Sequence, residues 1–223
     1  MQGDLMVKDR TGFQKTYDLA ERVLPSDVNT EMPGVNEFAV YLLNQQLRCH
    51  GFVSLKGVTY LRRNTALKHA VKELVASQLD SGLLEQVELP NGDTYVMKAG
   101  RLDQAMPRMN NSMSILSPFD NAVIQRDRLR SVFGFDYQIE CYVPSAKRKF
   151  GYFSLPLLFS GEFIGRMDCK AHRKERRLEI KSLHFETHAF NQDVIKAALI
   201  KALKSFCQFQ QCDLDSLNLL EVF

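Results

Sequence analysis

The sequence predicts an α+β protein, and three observations carry that expectation. Apolar residues recur at helical spacing in two stretches before residue 80, several later stretches read as short strands, and Gly, Pro and Asn punctuate the chain between them. Of the 223 residues, 45% are apolar and 25% charged, a composition that excludes disordered and collagen-like classes. A chain of this length makes one large domain or two small ones, at about 100 to 200 residues each. No run reaches the roughly 18 apolar residues of a membrane span, and Met1-Gln2-Gly3-Asp4 lacks the basic and apolar regions of a secretory signal. A cytoplasmic protein without a membrane partner is therefore expected.

Taken in order, Asp4–Arg10 and Phe13–Leu19 flank Thr11-Gly12 as a hairpin. Two strands alone are marginal in water, so residues 1–33 are expected to be a hairpin and linker left from a preceding unit. Val35, Phe38, Ala39, Leu42, Leu43 and Leu47 form one face of a helix that Gly51 stops. After a short apolar stretch from Phe52 to Leu61, Asn64 caps a second helix carrying Leu67, Ala70, Val71, Leu74, Val75 and Leu79. Residues 84–97 then fold back about Asn91-Gly92, whose positive φ angles suit a tight hairpin turn. Helix, short element, helix, hairpin is the order of a winged helix-turn-helix, placed at 34–98. Residues 99–114 are a polar linker. Residues 115–223 are expected to form a small antiparallel-sheet domain: a helix at 121–132, strands at 135–143, 149–159, 163–172 and 177–186, and a C-terminal helix from Asn191 to about Phe209.

Charge is unevenly spread. Lys and Arg number 29 against 26 acids, a net charge of only +3. Residues 1–33 hold four bases and six acids, whereas residues 145–181 hold ten bases and four acids, with Phe150, Tyr152 and Phe153 woven among them. That mixture suits a surface that holds phosphates, and equally suits solvated strand faces. The five cysteines, at 49, 141, 169, 207 and 212, include no C-x-x-C pair, so free buried thiols are expected rather than disulfides or a zinc site. His184, Glu186 and His188 share a strand face but suggest no further ligand, so no metal is assigned. Phosphate-loop, dinucleotide and hydrolase-elbow motifs do not occur, no nucleophile is nominated, and no cofactor is expected.

Leu116-Ser117-Pro118-Phe119-Asp120, Phe133-Gly134-Phe135, Glu140-Cys141-Tyr142-Val143-Pro144, the run from Lys147 to Pro156 and Gly165-Arg166-Met167-Asp168-Cys169-Lys170 carry a family resemblance. They resemble the C-terminal portion of the YcaQ/AlkZ family, bacterial winged-helix DNA glycosylases of interstrand-crosslink and alkylation repair, and the YcaQ branch most. The resemblance implies a soluble repair protein with duplex DNA as partner. The family's catalytic Gln-x-Gln or Gln-x-Asp motif belongs to an earlier winged helix. Gln208-Phe209-Gln210 fits the pattern at the wrong place in that order. No catalytic residue is assigned, and the chain alone is expected to bind duplex DNA without cleaving it.

Lys147, Arg148, Arg166, Lys170 and Arg173 are the expected contacts to backbone phosphates, with weaker help from Arg62, Arg63 and Lys68. Alternation along 165–170 places Arg166, Asp168 and Lys170 on one face, expected to be exposed, and Met167 and Cys169 toward the core. Asp168 is expected to sit in an ion-pair row with its two neighbours, and Arg148 has Glu140 as an alternative partner. A transcription-regulator-like winged helix, for which the chain offers no dimerisation heptad, or a protein-interaction module without enzymatic activity, which the acidic hairpin of Glu85, Glu88 and Asp93 would suit, remains the alternative.

Overall fold

The computed structural model describes residues 4–105, 108, 110–187 and 189–214. The chain opens with β1 (Leu5–Thr11) and β2 (Gln14–Leu19), paired antiparallel with Leu5 opposite Leu19, and a single turn α1 (Ala20–Val23). Every residue of β1 is exposed.

The first core is made by two helices crossed over a small sheet. α2 (Val35–His50) turns Ala39, Leu42, Leu43 and Leu47 toward Leu67, Ala70, Val71 and Val75 of α4 (Thr65–Asp80). Each buried leucine contributes roughly 1.5 to 3 kcal/mol relative to exposure. The Asn64 side chain starts α4 by accepting from the Leu67 amide at 3.0 Å, which satisfies one of the amides a helix start leaves orphaned. Between the helices lie β3 (Phe52–Val53) and the short α3 (Leu55–Val58). β4 (Leu84–Glu88) and β5 (Thr94–Lys98) follow α4 as a hairpin, giving a three-stranded sheet in the order β3-β5-β4.

The second half is a five-stranded sheet in the order β10-β9-β8-β7-β6, made of β6 (Met113–Ile115), β7 (Leu155–Phe159), β8 (Glu162–His172), β9 (Arg177–Phe185) and β10 (Asp213–Leu214). β10 joins β9 parallel; the other pairs are antiparallel. One sheet face is covered by α6 (Gln192–Gln210), whose Ile195, Ala198, Leu199 and Leu203 meet Leu155, Leu157, Met167 and Ile180. The other face is covered by α5 (Arg126–Phe133) and the segment after it, through Val123, Leu129, Phe135, Tyr137 and Phe163. The central strand β8 therefore has protein on both sides.

Three expectations need correction. Residues 135–143 and 149–154 form no strand; they are irregular backbone broken by one 3-10 turn, Ser145–Lys147. Their alternation is real, since Phe135 and Tyr137 are both buried, but side-chain carboxylates rather than a neighbouring strand take several of their amides. The helix expected from residue 121 starts at Arg126, because the Asp120 side chain accepts from the Ala122 amide at 2.8 Å and its carbonyl from Val123 and Ile124, holding a turn instead. The linker expected at 99–114 runs into β6 at Met113.

The two halves meet along a polar seam. The Gln125 amide donates to Gln46 Oε1 at 3.0 Å and to the Gly57 carbonyl at 3.3 Å, and Lys56 pairs with Asp127. At the hairpin turn Asn91 donates to Ser131 at 3.3 Å and Asp93 accepts from it at 2.5 Å.

Candidate nucleic-acid interface

The basic and aromatic residues from Lys147 to Phe153 lie on a loop whose backbone is held from beneath by two buried carboxylates. Glu140 accepts from the amides of Lys149, at 3.0 Å, and Phe150, at 2.7 Å. Asp168, on β8, accepts from the amides of Tyr152, at 2.8 Å, and Phe153, at 3.2 Å. Burial raises the Glu140 pKa, but the amides of Lys149, Phe150 and Gly151 together with the Arg166 charge outweigh it and hold the carboxyl below its ordinary value. Gly151 lies between the two clamped pairs at φ +118, a conformation L side chains rarely adopt, and the Asp168 carboxylate fills the place its Cβ would need.

This arrangement sorts the loop's side chains. Lys147 and Lys149 point to solvent and Phe150 points inward. Tyr152 stays 53% exposed with the Arg148 guanidinium 5.0 Å over its ring, a cation–π contact. Arg148 is fixed by a 2.9 Å hydrogen bond from Nε to the Val143 carbonyl, and its alternative partner Glu140 is spent on backbone amides.

Arg166 is a correction. It is 3% exposed, stacked 4.0 Å from the Phe150 ring and 4.5 Å from Phe135, and its Nη2 donates to Glu186 at 2.5 Å and to the Asp136 carbonyl at 3.0 Å. Alternation does separate it from Met167, which is buried under α6, but the face it occupies is roofed by residues 135–153 and is not open. Asp168 is buried too and bonds backbone, so the expected ion-pair row does not form. Lys170 lies beyond the roofed part of β8 and is exposed, as is Arg173 in the turn after it. Arg173 is seven residues from Arg166, roughly 20 Å along the strand. Arg62, Arg63 and Lys68 are exposed on the other half of the chain, at the start of α4, with Arg62 over the Phe38 ring at 5.1 Å. Lys147, Lys170, Arg173, Arg62, Arg63 and Lys68 pair with no carboxylate among the described residues.

Arg126 is half-buried. Arg126 donates to the carbonyls of Val123 and Pro118 and lies 4.6 Å over Tyr137, whose hydroxyl donates to the Ser154 carbonyl at 2.6 Å. Burial pushes the Tyr137 pKa up to about 12. Glu186 is taken by Arg166, His184 packs edge-on against Phe150 at 5.3 Å, and His188 lies outside the described residues. Among the described residues no helix is long and apolar enough to cross a membrane. Gln208, Phe209 and Gln210 form the last turn of α6.

The segments around Glu140, Lys147–Phe153 and Arg166–Asp168 are separate in sequence and converge on one loop. A family model described as DNA glycosylase AlkZ-like matches residues 1–209. The chain belongs to that family. The AlkZ-like chain is also similar in fold to a solved structure, the DNA glycosylase AlkZ of Streptomyces sahachiroi, with a TM-score of 0.60 and 14% identity over 96% of this chain. It spans 54% of that protein, about half its length.

Sequence reasoning did not foresee Glu140 and Asp168 as the posts of the AlkZ-like loop. The signal available was Gly151 inside a basic and aromatic run, since a glycine there implies a close approach of backbone to another group.

Proposed function

We propose that this AlkZ-like chain is the part of a repair glycosylase that holds duplex DNA through its backbone, without reading sequence and without itself cleaving the base–sugar bond. The observation that carries the proposal is the clamped loop, which presents Lys149 on a backbone fixed by Glu140 and Lys147 in a turn closed onto the Pro144 carbonyl, so that little order is lost on meeting a polyanion. Exposed Lys170 and Arg173 extend the positive charge along the sheet, and Arg148 contributes through its charge while stacked on Tyr152. Arg166 acts beneath the surface, holding Phe150 and so the loop.

In this proposal residues 34–98 are a winged helix that lends Arg62 and Arg63, just before α4, and Lys68 within it, residues 1–33 are a hairpin and linker, residues 99–112 connect the two parts, and the sheet domain that opens with β6 at Met113 is the main DNA-holding domain. The hairpin at 84–98 is left out of the contact, because its turn is engaged by Ser131 and its charge is acidic. If about four phosphates are neutralised, log affinity should fall against log salt with a slope of about −3.6. Fluorescence anisotropy with duplexes of unrelated sequence measures it. A slope indistinguishable from zero overturns the proposal, and a strong preference for one sequence would favour a regulator-like module instead.

A further inference from the structure

We propose that the Tyr152–Arg148 stack is a platform for an unpaired nucleobase, a role distinct from phosphate holding although it rests on the DNA-binding proposal above. Single exposed rings are ordinary on a protein surface, but this one is set on a fixed backbone beside a fixed cation. Tyr152 is 53% exposed, yet its backbone amide is fixed by Asp168 at 2.8 Å, and Arg148 lies over its ring at 5.0 Å. Arg148 is itself pinned by the Val143 carbonyl at 2.9 Å. The residue before that carbonyl, Tyr142, is 91% exposed. A guanidinium pinned by a hydrogen bond over a ring that rises from an anchored backbone, with a second exposed ring on the adjoining segment, is the chemistry that receives a π face of any base. Lys147 and Lys149, exposed on the same loop, supply charge for the phosphates flanking such a nucleotide. A base paired within a duplex has no free face to offer, so the occupant is a nucleobase from a bulge, gap or frayed site.

The test compares three fluorescein-labelled probes of equal length by anisotropy at one salt concentration: an intact duplex, the same duplex with one unpaired adenine, and an oligo-thymidine strand. The bulged duplex is expected to bind about ten-fold tighter than the intact one, the fold-change that about 1.4 kcal/mol produces and within the range of one base–aromatic stack. Tyr152→Ala should erase that preference while leaving intact-duplex affinity within about two-fold, and Tyr152→Phe should keep it. Arg148→Lys, which retains the charge but not the planar stack, should also lower it and serves if Tyr152→Ala disturbs folding. Equal wild-type affinity for bulged and intact duplexes, or a preference untouched by both variants, overturns the inference. Tyr152-dependent binding of the bulged or single-stranded probe without binding of the intact duplex would overturn the phosphate proposal and uphold this one. Binding of no probe overturns both.

Discussion

Gly151 and Asp168 share one volume: the carboxylate of Asp168 stands where a side chain on Gly151 would begin. Gly151→Ala forces either the +118 φ or the carboxylate to move, and with it the amides of Tyr152 and Phe153. We expect a loss of about 1 to 3 kcal/mol, the usual cost of overpacking a fixed site. DNA affinity should fall with it. Urea denaturation and anisotropy on the same variant check both, and wild-type values for both would show that the loop is not held as described.

Two basic residues that look alike in sequence should behave oppositely. Arg166→Glu removes a buried cation wedged among Phe150, Phe135 and Glu186 and sets two carboxylates together, so it should cost roughly 3 to 5 kcal/mol of stability. Lys147→Glu alters an exposed turn and should stay within about 0.5 kcal/mol of wild type. Its effect belongs to binding, where the salt slope should shrink by about one. Thermal melts of both variants beside anisotropy separate the two roles.

Loop order should depend on acid pH through Glu140. Its folded pKa lies below the ordinary 4.5, so the stabilisation is complete above about 4.5 and disappears as pH falls through the lower, folded value. The amide resonances of Lys149 and Phe150 should shift together in that acid range, and Glu140→Gln should abolish the transition. A midpoint above 4.5 would contradict the hydrogen bonds that hold the loop.

His50 contributes a second dependence with a different window. Burial, aided by the nearby Arg128 charge, lowers its pKa to about 4 from an ordinary 6.5, so it is neutral when folded at pH 7. The unfolded chain takes up a proton first. Stability from this group is therefore whole above about 6.5, declines as pH falls toward 4, and changes no further below that. His50→Gln should flatten the stability profile between those limits, measured by denaturation midpoints at stepped pH.

Much of the helical structure was legible because its signals are local. Asn64 and Asn191 both cap helices through their side chains, and the apolar faces of α2, α4 and α6 follow the three- and four-residue steps of the sequence. The loop at 135–154 was not legible. Phe135 and Tyr137 alternate as a strand would, and only knowledge that Glu140 and Asp168 satisfy the backbone from below distinguishes it from one. Arg166 shows the same limit: period two says which residues share a face, and cannot say that another segment roofs that face.

The seam through Gln125, Gln46, Gly57, Lys56 and Asp127 is made of amides and an ion pair rather than oil. Water can replace the exposed Lys56–Asp127 pair at small cost, whereas neither apolar core can be opened so cheaply. The boundary between the helical half and the sheet half is thus the place where dissolved ions compete most directly with the protein's own contacts.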